Sequence, residues 1–113
     1  LREIKIGGKE IRVKASPLTL LFYKQEFKSD MIGDILKLHA VQKNPAELDS
    51  LIFLQIIWAM NKAAEYGKDF PSFPKWLKTL DAFDISDTDM LKAVFEEAAK
   101  GFFRRGAMRK RRS

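Results

Sequence analysis

The side chains that could do chemistry are few, and their spacing does not combine them. One histidine, His39, stands between Leu38 and Ala40 on a predicted helix, and the 113 residues contain no cysteine. Thiolate nucleophiles, disulfides and thiolate metal sites are therefore excluded. A lone histidine without cysteine is far more often a partly buried structural side chain than a metal ligand or general base. Asp81, Asp84, Asp87 and Asp89 crowd together as a calcium loop would. They lack its central glycine and its bidentate glutamate, so a helix cap and a solvated loop are the expected roles. Gly7-Gly8 is not followed by a helix and cannot cradle a phosphate. No G-x-S-x-G, H-E-x-x-H, P-loop or dinucleotide glycine pattern occurs. The expectation is a protein that binds and does not catalyse, with no catalytic residue, no metal and no cofactor.

Charge offers one further function class. The net charge of +6 lies wholly in Arg104, Arg105, Arg109, Lys110, Arg111 and Arg112: 21 basic residues less these six leave 15, which balance the 15 acids. That tail would attract phosphate in a salt-sensitive, sequence-independent way. It carries no aromatic side chain for base stacking, and the domain before it is neutral. A solvated, disordered end over 105–113 is at least as good a reading, and nucleic acid is not the expected partner. No apolar run approaches the roughly 20 residues that cross a bilayer, and LREIKIGG lacks the apolar region of a signal peptide. No membrane association is expected.

The elements that would position any site follow from periodicity and capping. EIKI and EIRVK alternate apolar and charged residues around Gly7-Gly8-Lys9, which predicts a hairpin over about 3–14 with Ile4, Ile6, Ile11 and Val13 on one face. Helices are predicted over about 17–28, 31–42, 45–66, 73–80 and 87–104. Their caps are Ser16 before Pro17, Asp30, Asn44 before Pro45 with Glu47, Ser72 and Ser86. Ile32, Ile35, Leu36 and Leu38 should be the buried side of the second helix. Leu91, Val94, Phe95, Ala98, Ala99 and Phe102 should be the buried stripe of the last. The fold class is α+β, mainly α. A hydrophobic share of 46% and a charged share of 32% suit one globular domain, expected over 1–104.

The longest helix carries more apolar surface than a surface helix needs. Leu48, Ile52, Phe53, Ile56, Ile57, Ala59, Met60, Ala63 and Ala64 fill roughly half its circumference. Leu51, Leu54 and Trp58 form a second stripe among Ser50, Gln55, Asn61, Lys62 and Glu65. Such a helix is either surrounded by its own domain or offers the second stripe to another chain. Leu51, Leu54 and Trp58 are therefore one candidate surface for self-association or a partner, and Phe103 with Met108 is another.

The order of these features resembles that of the tail assembly chaperones of long-tailed bacteriophages (siphophages), particularly those of Gram-positive hosts and their prophages. The resemblance runs over roughly residues 3–103 and rests on YKQEF at 23–27, WAMNKAA at 58–64 and PSFPKWL at 71–77 taken together. It implies a protein made in the host cytoplasm and absent from the mature virion. It implies binding of the long, helical tape measure protein, which is kept soluble until tail tube subunits polymerise around it. It further implies a homo-oligomer and, through a C-terminally extended form, recruitment of the major tail protein. The family has no catalytic residues to carry over. The competing readings are a small nucleic-acid-binding protein using the basic tail and a structural head–tail or tail component of the virion.

Overall fold

The computed structural model describes residues 1–40 and 49–103. A two-stranded antiparallel hairpin, β1 (Arg2–Ile6) and β2 (Lys9–Val13), precedes five helices: α1 (Pro17–Phe27), α2 (Met31–Ala40), α3 (Ser50–Ala64), α4 (Phe73–Lys78) and α5 (Thr88–Phe102). This is the mainly helical α+β fold that the sequence predicts. Gly7 and Gly8 both take positive φ, 56° and 87°, so the two-residue turn closes with Ile6 opposite Lys9. Alternation then puts Ile4, Ile6, Ile11 and Val13 on the buried face. A two-stranded sheet is marginal alone, and here β2 packs on α3 while β1 packs on α5.

Helix α3 is the centre of the core, in contact with α1, α2, α4 and β2. It starts later than expected. Asp49 is its N-cap, with Oδ1 accepting from the amides of Leu51 and Ile52 at 3.1 and 3.2 Å, which satisfies two donors that the first turn leaves open. Asn44, Pro45, Glu47 and Leu48 lie outside the described residues, as do the last two positions predicted for the second helix. Gly67 does take the left-handed conformation, at φ 97°, after the helix has ended at Ala64. At α5 the cap is Asp87, accepting from the Met90 amide at 3.1 Å, and not Ser86. Ser86 instead donates to Asp84, which holds the Asp84 carboxyl below its usual range. Asp84 and Asp87 of this loop are thus engaged as local caps.

Three buried polar residues tie the layers together. Asn61 donates through Nδ2 to the Arg12 carbonyl at 2.7 Å and accepts the Trp76 indole N–H at 3.0 Å, joining β2, α3 and α4. The Asp34 carboxylate accepts from the Tyr23 hydroxyl at 2.7 Å and the Ser29 hydroxyl at 2.9 Å, joining α2 to α1. Burial and this carboxylate together push the Tyr23 phenol far above its usual range. Glu97 of α5 accepts the Ala15 amide at 3.1 Å. Nearby, Gly101 lets α5 approach Ala15 so closely that a Cβ would overlap its main chain.

Candidate functional site: an apolar groove between two helices

The stripe of Leu51, Leu54 and Trp58 is not one surface. Trp58 is 1% exposed. Phe27 meets its ring edge-on at 5.4 Å, and Phe70 and Phe73 lie at 6.1 and 6.4 Å. Its indole N–H donates to the Pro71 carbonyl at 3.1 Å. The extended link through Phe70 and Pro71, together with the end of α1, covers this side of α3, so the helix is surrounded by its own domain. Leu54 is half-buried against the core, and of the three only Leu51 is exposed. Trp58 is therefore corrected from partner surface to core. Asn61, read as a polar surface position, is likewise buried.

The open apolar surface lies elsewhere, between α2 and α5. A groove of about 590 Å³ is lined from α2 by Ile35, Leu36 and His39. From α5 come Thr88, Leu91, Lys92, Phe95, Glu96, Ala98 and Ala99, with Phe103 following. Its origin is a surplus of apolar positions. On α2, Met31, Asp34, Ile35 and Leu38 turn inward, which leaves Leu36 54% exposed instead of buried as expected. On α5, Met90, Leu91, Val94, Glu97 and Ala98 turn inward. Phe95 is then only half-buried, and Ala99, expected in the stripe, is exposed. The two helices flank the groove and scarcely pack on one another.

The floor is rigid. Phe95 sits 5.8 Å from the buried Phe53 ring, and His39 stands edge-on to Phe95 at 5.7 Å. His39 thus meets an aromatic wall. Among the described residues no group of three or more His, Cys, Asp or Glu could hold a metal ion, and no helix is long and apolar enough to cross a membrane. Lys92 and Glu96 give the rim one charge of each sign.

Of the residues singled out in the sequence, Phe103 is 38% exposed and lies at the groove. Met108, Arg104, Arg105, Arg109, Lys110, Arg111 and Arg112 lie outside the described residues. Leu36, His39, Leu91, Phe95 and Ala99 were not foreseen as a site. The available signal was the width of the apolar arc on the last helix, where Leu91, Phe95, Ala98, Ala99 and Phe102 exceed what one core-facing stripe requires. The chain matches no family model, no curated protein and no solved structure.

Proposed function

We propose that this chain is a phage tail assembly chaperone whose α2–α5 groove takes the apolar face of an amphipathic helix of the tape measure protein. The observation that carries this reading is the groove itself: open, apolar along both walls, and about 590 Å³ in volume. An amphipathic helix presents anchors at i, i+3 or i+4, and i+7, so about two turns of it would fill such a groove. The rim charges Lys92 and Glu96 would accept polar flanks of either sign on the client. The resemblance over residues 3–103 supports the choice of client, a long helical protein with many equivalent apolar faces. Contacts with any one face would be shallow, and many copies along the client would hold it by multivalency. The activity is binding without catalysis, exercised in the host cytoplasm during tail assembly, with an extended form recruiting the major tail protein.

The test is co-expression of the full chain with fragments of the long helical protein that this reading expects to be encoded immediately after it. The wild type is expected to keep the fragments soluble and to purify with them. Leu36→Glu combined with Phe103→Glu should abolish this while leaving the circular dichroism spectrum unchanged, because both side chains already meet water. Capture at the wild-type level by that double variant would refute the groove as the client site.

A further inference from the structure

We infer that the outer edge of β1 is a self-association site, at which two copies of this chain join antiparallel about a twofold axis passing beside Ile4. The inference does not rest on the function proposed above. In a two-residue hairpin the pair flanking the turn exchanges both its hydrogen bonds, and every second pair does the same. With Ile6 opposite Lys9, the main-chain groups of Ile4 and Ile11 therefore point into the ladder. Those of Glu3 and Lys5 on β1, and of Glu10 and Arg12 on β2, point outward. The β2 edge is covered by α3: Asn61 Nδ2 donates to the Arg12 carbonyl at 2.7 Å, and the Lys14 amide donates to the Met60 carbonyl at 3.0 Å. Among the described residues nothing bonds to the main chain of Glu3 or Lys5. Both residues are exposed, and an open crevice of about 320 Å³ runs between them and the start of α5.

Asp87 and Asp89 line the far side of the crevice, and the charges along β1 itself choose the occupant and the register. Only registers that face an outward-pointing residue with another can form hydrogen bonds. Three such registers bring Glu3 or Lys5 onto the edge of a second copy. Centring on Glu3 sets glutamate against glutamate, and centring on Lys5 sets lysine against lysine, both unfavourable. Centring on Ile4 sets Glu3 against Lys5 twice and makes four main-chain hydrogen bonds. The hairpin already pairs Glu3 with Arg12 and Lys5 with Glu10 across its outer face. In the Ile4-centred dimer the resulting four-stranded sheet carries rows in which the signs alternate without a break: Arg12, Glu3, then the second copy's lysine and glutamate. An isologous contact needs a surface complementary to itself, and the order Glu-Ile-Lys on one open edge meets that requirement.

Sedimentation equilibrium of the full chain up to millimolar concentration tests this. The wild type should show a weak monomer–dimer equilibrium. Glu3→Lys and Lys5→Glu should each raise the dissociation constant about tenfold or more, since each places two like-charge pairs across the axis. An equimolar mixture of the two variants should associate again, because a doubly basic edge then faces a doubly acidic one. Within the mixture each chain keeps its own weakened hairpin, so recovery cannot come from repaired folding. A wild type that stays monomeric, single variants that associate like the wild type, or a mixture that stays apart would each overturn the inference. A dimer that survives both β1 variants but is lost in the Leu36→Glu, Phe103→Glu chain would also overturn it, by moving self-association to the groove.

Discussion

Asn61→Ala should cost about 3 kcal/mol of folding stability, as the sum of two unequal losses. Asn61 is 5% exposed, and its amide bonds at once to the hairpin and to α4. The Trp76 side chain, 2% exposed, would be left with a buried indole N–H that water cannot reach, at a cost of about 2 kcal/mol. The Arg12 carbonyl belongs to a half-buried residue on a sheet edge and can recruit water, so its loss sits at the low end, about 1 kcal/mol. For a domain of this length the sum lowers the melting temperature by roughly 12 °C. Urea denaturation followed by far-UV circular dichroism gives the free energy. A double-mutant cycle with Trp76→Phe isolates the indole bond, since Asn61→Ala should then cost about 1–2 kcal/mol less. A single-variant loss under about 0.5 kcal/mol, or a cycle with no coupling, would refute the account of Asn61 as the clamp between β2 and α4.

Trp58→Ala should cost about 3–5 kcal/mol, whereas Leu51→Ser should stay within about 0.5 kcal/mol, because only the first empties a packed site. Equal stabilities in urea would return Trp58 to the surface. Glu65 supplies a pH dependence. Its carboxylate accepts both arms of the Arg12 guanidinium at 3.0 Å and the Lys68 ammonium at 3.0 Å, which lowers its pKa to about 2. Since the folded value lies below the unfolded one, the stabilisation is present above the ordinary carboxylate range and is lost as pH falls through it towards 2. The Arg12 side chain is partly open to water, so solvent screening leaves the pair only a small contribution. Wild type and Glu65→Gln should differ by that small margin at neutral pH and converge in acid, and a gap independent of pH would refute the ion pair as its source.

Local signals reached the elements, and remote partners decided which surfaces stayed open. The alternation around Gly7-Gly8 and the Ser16-Pro17 start were legible because hairpins and caps are encoded within a few residues. Competing caps were harder. Asn44-Pro45 and Asp49 both precede apolar periodicity, and the Asp49 carboxylate accepts from the first amides of α3. An angular projection of α3 places Trp58 opposite the main arc but cannot show that Phe70 and Pro71, more than ten residues later, fold over it. Asp34, Asn61 and Glu97 carry no local signal of burial, since their partners Tyr23, Trp76 and Ala15 lie elsewhere in the chain. The groove was invisible for the same reason. Leu36 and Ala99 each read as core, and only the splay of α2 from α5 leaves them exposed together.

Helix α5 is common to both surfaces, and this shapes what a dimer could do. Asp89, Met90 and Ala93 flank the crevice beside β1, while Leu91, Phe95 and Ala99 line the groove. Pairing through β1 would therefore leave both grooves of a dimer uncovered and carry one on each copy of α5, related by the twofold axis. A client with one apolar face would occupy one groove. A long client with recurring faces could engage both, and the second contact would be intramolecular, raising apparent affinity without any new side-chain interaction. Weak pairing at a five-residue strand suits that arrangement, because copies could join and leave while the client is still held through its other faces. The β1 and groove variants then separate two contributions: loss of the edge should lower avidity for a multi-site client and leave binding of a single short helix unchanged.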